Sequence, residues 1–307
     1  MRILMFGRGA IATIYGRVLA AAGHDVEFYV RPGRAAEYGN EVRMDWIDGR
    51  RALLGRRIRE NHPVRFRETI DPREGFDLVV LSVGHHRLAE AAAFLAPRLG
   101  SATVLVFGNV WEEPLEAVAP LPADQVVFGF PGGGGQFQED GLLVAAIMPS
   151  VVIGTGHALT SRREEEVLSA FRQAGITARQ EKDIRGWLWL HFIADAGMYA
   201  QAMSKGSLSA MIGDRQALRK ALATTRDLLP LLRARGVDLA EHRRAMLPYR
   251  LPLLMGAAMG WATALVPIAR RALGAHTDTD MVEGRAVLRD TLREARRLHI
   301  PAPRLET

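Results

Sequence analysis

A glycine turn set between a strand and a helix at the front of the chain does most to constrain its fold. Residues 2–6 read RILMF, a short apolar run of strand type. Gly7, Arg8, Gly9, Ala10, Ile11 and Ala12 follow at once, and 14–22 reads as a helix. A second strand over 26–30 then ends in Arg31. This order is the G-x-G-x-x-G/A dinucleotide fingerprint in the setting the motif requires. Gly7 permits the tight turn. Gly9 lets the backbone approach a pyrophosphate seated on the free N–H groups of the helix start. Ala12 stands in for a third glycine and is small enough for close helix–strand packing. The competing account is a glycine turn with no ligand, and the strand–turn–helix setting weighs against it.

Arg31 refines the expectation. An NAD site usually closes its second strand with Asp or Glu, which accepts from the ribose 2′-hydroxyl. Here residues 29–34 read YVRPGR, with no acid among them. A carboxylate would repel a 2′-phosphate, whereas a guanidinium pairs with it bidentately. The expected cofactor is therefore NADP(H), with Arg31 at the 2′-phosphate. Asp25 and Glu27 lie earlier on the strand and are expected to point elsewhere. Ordinary solvated surface is the alternative for Arg31 and Arg34.

A chain of 307 residues can hold two domains with sizeable cores. Its 48% hydrophobic and 24% charged residues are ordinary for a globular protein. The net charge of +6 is spread as an arginine bias, with Lys only at 182, 205 and 220. No basic run with interleaved aromatics stands out, which argues against nucleic acid as a partner. The absence of cysteine excludes disulfides, thiolate chemistry and Cys-based metal sites, and fits a cytoplasmic location. Residues 1–22 mimic a signal peptide, but cleavage there would destroy the fingerprint. Residues 251–269 form a long uncharged run with G-x-x-x-G at Gly256 and Gly260, bracketed by Pro252 and Pro267. Its length would suit a membrane span. A buried helix of a second domain, or the subunit contact of a homodimer, fits the breakers better. No membrane partner is expected.

The first half alternates strands and helices. Residues 44–47 and 51–54 flank Asp48-Gly49 as a hairpin, and 76–83 reads as a buried parallel strand. A helix over 88–99 and strands over 103–107 and 126–130 follow. Residues 131–135 (PGGGG) read as a breaker, with Gly132–Gly135 a flexible loop near the cleft, since a P-loop's Lys-Ser/Thr does not follow. Strands over 142–148 and 150–153 close a doubly wound α/β sheet. Helical patterns over 162–173, 184–203, 216–235, 251–273 and 282–298 make the rest nearly all α. The expected organisation is an NADP-binding Rossmann-type domain over 1–159 and a helical substrate-binding or dimerisation domain over 160–307. Ligands should bind beyond the carboxyl ends of the strands, in a cleft between the two.

Several landmarks together resemble the ketopantoate reductase family, the NADPH-dependent enzymes that reduce 2-dehydropantoate. They are the GxGAIA turn, Arg31, the strand FDLVVLSV, Val106-Phe107-Gly108-Asn109, the helix after Asp183-Ile184, Glu283, and Ile300-Pro301-Ala302-Pro303. The resemblance is good over the first 155 residues or so, and fades beyond 203. It implies a nicotinamide domain, a helical substrate domain, and hydride transfer to the carbonyl of a 2-oxo acid. The chain also departs from the family pattern. Gly84-His85-His86 replaces a Lys-Ser, and Asn109-Val110 replaces an Asn-Gly. His191, Asp195 and Tyr199 fall where the family's helix carries a catalytic Lys and two Asn residues. The Ser-Met…Asp pattern before Glu283 is missing, and residues 271–275 stand there.

The helix over 184–203 is apolar nearly all round and should be buried. His191, Asp195 and Tyr199 recur at i, i+4, i+8 and so share one face. A polar stripe on a buried helix suits a cleft wall; the simpler account is a self-satisfied core pair. Carbonyl reduction needs a proton donor, and histidine is competent to supply it. The expectation is His191 as general acid, Asp195 orienting it, and Tyr199 lining the pocket. Asn109, at the carboxyl end of its strand, should contact nicotinamide ribose or substrate. His85 and His86 stand at another strand's carboxyl end. Glu283 is placed on a substrate hydroxyl by the resemblance. Residues 276–280 (HTDTD) read as a helix cap region rather than a metal site, and no metal is expected. Two alternatives remain for the function: a non-catalytic NADP(H)-binding protein, and an NADPH-dependent reductase of another ketone or an imine.

Overall fold

A computed structural model describes residues 1–52, 54–155, 161–274 and 281–306. Its strands are β1 (Arg2–Phe6), β2 (Asp25–Tyr29), β3 (Glu41–Asp48), β4 (Arg56–Pro63), β5 (Phe66–Arg67) and β6 (Leu78–Leu81). They continue with β7 (Thr103–Phe107), β8 (Val126–Phe130), β9 (Gly133–Phe137), β10 (Leu143–Ile147), β11 (Ser150–Gly154) and β12 (Thr177–Gln180). The helices are α1 (Ala10–Ala21), α2 (Ala35–Tyr38), α3 (Leu88–Leu95), α4 (Pro114–Ala117), α5 (Arg162–Gln173) and α6 (Ile184–Lys205). After them come α7 (Arg215–Asp227), α8 (Leu229–Ala234), α9 (Leu247–Arg250), α10 (Pro252–Leu265), α11 (Pro267–Gly274) and α12 (Val282–Arg297).

Two compact units result. The first comprises Met1–Gly108 and Glu112–Ile184, the second Asn109–Trp111 and Arg185–Thr307. The first therefore runs past the 159/160 boundary expected from the sequence. The reason is β12, a short strand the sequence reading missed, which pairs in parallel with β11 and keeps α5 with the sheet.

The first unit holds an eight-stranded sheet in the order β12-β11-β8-β7-β6-β1-β2-β5, parallel except where β11 meets β8. β1 sits centrally, with β2 on one side and β6 on the other. The chain thus reverses its winding direction at β1, which in open α/β sheets marks the place where ligands bind. β6 and β7 are buried along their whole length, which explains their unbroken LVVL and TVLVF runs. A second sheet, β4-β3-β10-β9, covers the other side of α1. One core unites them: Ile3 and Met5, Ile14, Tyr15 and Val18, Trp46, Leu143 and Ile147, and Phe171. Burying each such side chain contributes about 1.5–3 kcal/mol.

Two turn expectations are corrected here. The hairpin after Asp48 exists, but its return strand begins at Arg56, paired with Asp48, rather than at 51. Asp48 accepts from the Arg50 N–H and its guanidinium, so the chain turns on that side chain before it can pair. Leu53 lies outside the described residues. Gly132–Gly135, expected as a flexible loop, instead leads into and forms much of β9, antiparallel to β10. A Cβ on Gly135 would stand 2.8 Å from the Ala145 Cβ and 3.1 Å from the Ala10 Cβ. The glycines let this strand lie close to its neighbour and to α1, a use that composition alone does not separate from a loop.

The second unit is helical, around α6. Two long helices expected from the sequence are broken. Pro230 marks the start of α8 after α7, and Pro267 separates α10 from α11 by a 99° bend. Among the described residues no single helix is long and apolar enough to cross a membrane. α10 is also not the buried helix expected over 251–269. Gly256 and Gly260 face α7, where a Cβ on Gly256 would meet the Arg219 backbone at 2.7 Å. The opposite side exposes Leu254 (60%), Trp261 (57%) and Leu265 (70%).

Candidate active site

In the first unit, β1 delivers the chain into Gly7, whose φ of +98° lies in the left-handed region that glycine tolerates best. The Gly7 N–H bonds the Tyr29 carbonyl at 2.9 Å, tying the turn to the end of β2. No atom lies within 4 Å of a Cβ built on Gly7 or Gly9. α1 starts at once, with no side-chain cap and no acidic residue in its first turn. Open space over an uncapped helix start is the arrangement that takes a phosphate. Ala12 is fully buried against the sheet, while Ala10 and Ile11 are partly buried.

Arg8, the residue between the two turn glycines, is held by two rings. Its guanidinium carbon stands 4.4 Å from the Tyr38 ring centre and 4.2 Å from that of Phe137. Its Nε is buried with no hydrogen-bond partner. Burial pushes its pKa down, with Tyr38 opposing. The sequence reading missed both rings, because Tyr38 follows β2 and Phe137 ends β9. Arg31 is exposed just past β2. Arg34 donates to the Tyr38 hydroxyl at 3.0 and 3.1 Å and pairs with Glu37 at 2.9 Å. Glu68 accepts from the Ala35 N–H at 2.8 Å, and the Ala35 and Gly33 amides hold its pKa below the usual carboxylate value. Asp25 and Glu27 are taken up by arginines: Asp25 by Arg65 and Arg2, Glu27 by Arg2 and Arg67. At the same sheet edge, past β6, the Ser82 Oγ is buried without a partner. His85 is buried there, with its ring 5.7 Å edge-on to that of His86. These residues fit a dinucleotide phosphate: a bare helix start, an open cradle, and a cation whose buried Nε is unmatched.

In the second unit, α6 is buried along most of its length, and Leu188, Trp189, Phe192 and Ile193 carry its core face. Trp187, His191, Asp195 and Tyr199 are half-buried together on one stripe. The His191 ring lies flat against Trp187, centres 5.3 Å apart at 15°. His191 Nε2 stands 3.6 Å from Asp195 Oδ1, too long for a hydrogen bond but within ion-pair reach when the ring is protonated. Asn109 Nδ2 donates to Asp195 Oδ2 at 2.8 Å. That bond fixes the amide's orientation and leaves the Asn109 Oδ1 buried without a partner. The structure thus brings Asn109, Asp195 and His191 into one polar chain.

Tyr199 sits further along, over Gly284 of α12, where a Cβ would stand 2.6 Å from its ring. Glu283, next to that glycine, is half-buried. Tyr249 of α9 was not singled out from the sequence, yet burial and the Asp195 carboxylate both push its phenol pKa up. Its only sequence signal is an aromatic two residues past Leu247, which is too weak to find it. Arg235 is sandwiched behind the stripe, 3.5 Å from the Trp189 ring centre and 4.1 Å from that of Trp111. Among the described residues no group of three or more His, Asp or Glu is placed to hold a metal ion. Residues 276–280 lie outside the described residues.

Residues 3–157 match the family model described as Ketopantoate reductase PanE/ApbA. The fold is similar to that of 2-dehydropantoate 2-reductase from Geobacter metallireducens GS-15, at 22% identity and a TM-score of 0.67, covering 100% of this chain and 97% of that one. It is similar to the enzyme of that name from Porphyromonas gingivalis W83, at 16% identity and 0.65, covering 100% and 96%. It is also similar to a D-mandelate dehydrogenase in ternary complex with NADH and anilino(oxo)acetate, at 12% identity and 0.71, covering 100% and 95%.

Proposed function

The chain belongs to the ketopantoate reductase family of oxidoreductases, and on that premise we propose that it is an NADP(H)-dependent reductase of a 2-oxo acid, 2-dehydropantoate or a relative. The reading is carried by the Asn109–Asp195–His191 chain, which supplies a proton donor, a counter-charge and a spare acceptor on one helix stripe. Pantoate and mandelate, in the names of the structural relatives, are both 2-hydroxy acids, the product class of such a reduction.

The bound dinucleotide supplies the hydride. Gly7, Gly9 and the amides of Ala10, Ile11 and Ala12 would hold its pyrophosphate, and Arg31 would pair with a 2′-phosphate. His191 carries the proton for the carbonyl oxygen at Nε2. Asp195 Oδ1, 3.6 Å from that nitrogen, lies within ion-pair reach of the ring and supplies its counter-charge. Trp187 fixes the ring plane, and Asn109 fixes the carboxylate. The Asn109 Oδ1 accepts from a ligand hydroxyl or amide. Tyr199 and Glu283 shape the substrate end. Histidine in the family's lysine position moves the same task to a group with a lower reference pKa.

The test is dinucleotide oxidation with a panel of 2-oxo acids. Turnover with NADPH on at least one of them is expected. Tight NADPH binding with no turnover would replace the reading with a nucleotide-binding protein. Turnover confined to other ketones or imines would change the substrate class.

A further inference from the structure

The fingerprint turn holds an arginine where its chemistry needs only backbone. Arg8 makes no ion pair among the described residues, and its Nε has no hydrogen-bond partner. Two aromatic rings restrict the guanidinium. Stacking of this kind uses a guanidinium's faces and leaves its N–H edge as the part able to donate. The acids in the same corner are already committed. Glu37 pairs with Arg34, and Glu68 accepts from the backbone of the turn after β2. Arg34 is therefore partly neutralised, whereas Arg8 has no counter-charge among the described residues. The position of its ring partner indicates what that charge serves. Tyr38 closes α2, on the segment that carries Arg31 and Arg34 past the end of β2. In a Rossmann-type fold that segment borders the adenosine ribose. Arg8 thus spans from the phosphate turn to the ribose corner.

We propose that the Arg8 side chain, held by Tyr38 and Phe137, is a second ligand of the 2′-phosphate and a determinant of the preference for the phosphorylated dinucleotide. The proposal rests on the NADP(H) reading above. It adds a side-chain contact from within the fingerprint to the one expected of Arg31. A guanidinium already stacked loses little freedom on binding, so one charge-assisted bond there should be worth about tenfold in affinity.

The experiment is equilibrium titration of the full chain with NADPH, NADH, 2′,5′-ADP and 5′-AMP, for wild type, Arg8→Ala and Arg8→Lys. Thermal melting of each ligand-free protein checks the fold. The expected result is a loss of about tenfold for NADPH and 2′,5′-ADP in Arg8→Ala. NADH and 5′-AMP should change by no more than about twofold. Arg8→Lys should fall between the two, since it keeps charge but not the planar stack. Equal losses for phosphorylated and unphosphorylated ligands would overturn the proposal, as would unchanged NADPH affinity in Arg8→Ala. Should the wild type bind neither dinucleotide, the functional reading itself fails, an outcome distinct from either of these.

Discussion

Asn109 donates through Nδ2 to Asp195 Oδ2 at 2.8 Å, across 86 positions of sequence. The bond joins the residue that follows β7 to the middle of α6. It gives the His191 counter-charge a fixed orientation, with His191 Nε2 3.6 Å from the carboxylate's other oxygen.

Replacing His191 by Ala should lower turnover by about 10²–10⁴-fold while leaving dinucleotide affinity unchanged, as loss of a general acid does. Asp195→Asn should lower kcat by a smaller factor, with KM little altered. Single-turnover kinetics alongside dinucleotide titration separates the two effects. Equal turnover in His191→Ala would remove that residue from the mechanism.

Arg235 should matter for stability rather than turnover. Its side chain is 9% exposed, stacks on Trp111 and Trp189, donates to the Trp111 carbonyl at 2.7 Å and pairs with Glu294 at 3.4 Å. Arg235→Leu should cost about 3 kcal/mol, because the stack and the partly buried pair go together. Arg235→Lys should retain part of this. Urea unfolding followed by tryptophan fluorescence measures both.

Glu60 should make the fold acid-sensitive. Burial alone would raise its pKa, but bonds from Arg17 and from the Trp46 indole, with the Arg17 charge and then His62, bring it below the ordinary value. A carboxyl depressed in the folded state contributes stability that is present above its unfolded value, about 4.3. That contribution is lost as pH falls through the folded value. Urea midpoints measured from pH 7 down to pH 3 should therefore decline more steeply in the wild type than in Glu60→Gln.

Gly256→Ala should destabilise by about 1–3 kcal/mol, since the added carbon meets the Arg219 backbone of α7. Trp261→Ser, on the exposed side of α10, should change stability by no more than about 0.5 kcal/mol. Thermal melting of the two variants tests whether the G-x-x-x-G stripe serves packing within the chain.

Local patterning made much of the framework legible. β1, β7, β8 and α5 have the bounds their residues suggest, because apolar runs and helical periodicity are strong signals in short windows. The His191, Asp195, Tyr199 stripe follows from helix spacing alone. What escaped depends on neighbours far away in sequence. A glycine run becomes β9 only because β10 and α1 need it close. β12 is short and mostly exposed, so it carries no apolar signature. The aromatic seat of Arg8 draws on Tyr38 and Phe137, and nothing near residue 8 announces either. Prolines 230 and 267 were visible, but helical periodicity on both sides of each masked the breaks.

The short stretch Asn109–Trp111 belongs with the later unit although sequence on both sides of it belongs with the earlier one. A fragment starting at Arg185 would therefore lack two of its own parts: the amide that steadies Asp195 and the indole stacked 4.5 Å from Phe192. Dissecting this protein by expressing its halves separately would yield an incomplete piece, so its two regions are best studied through substitutions in the intact chain.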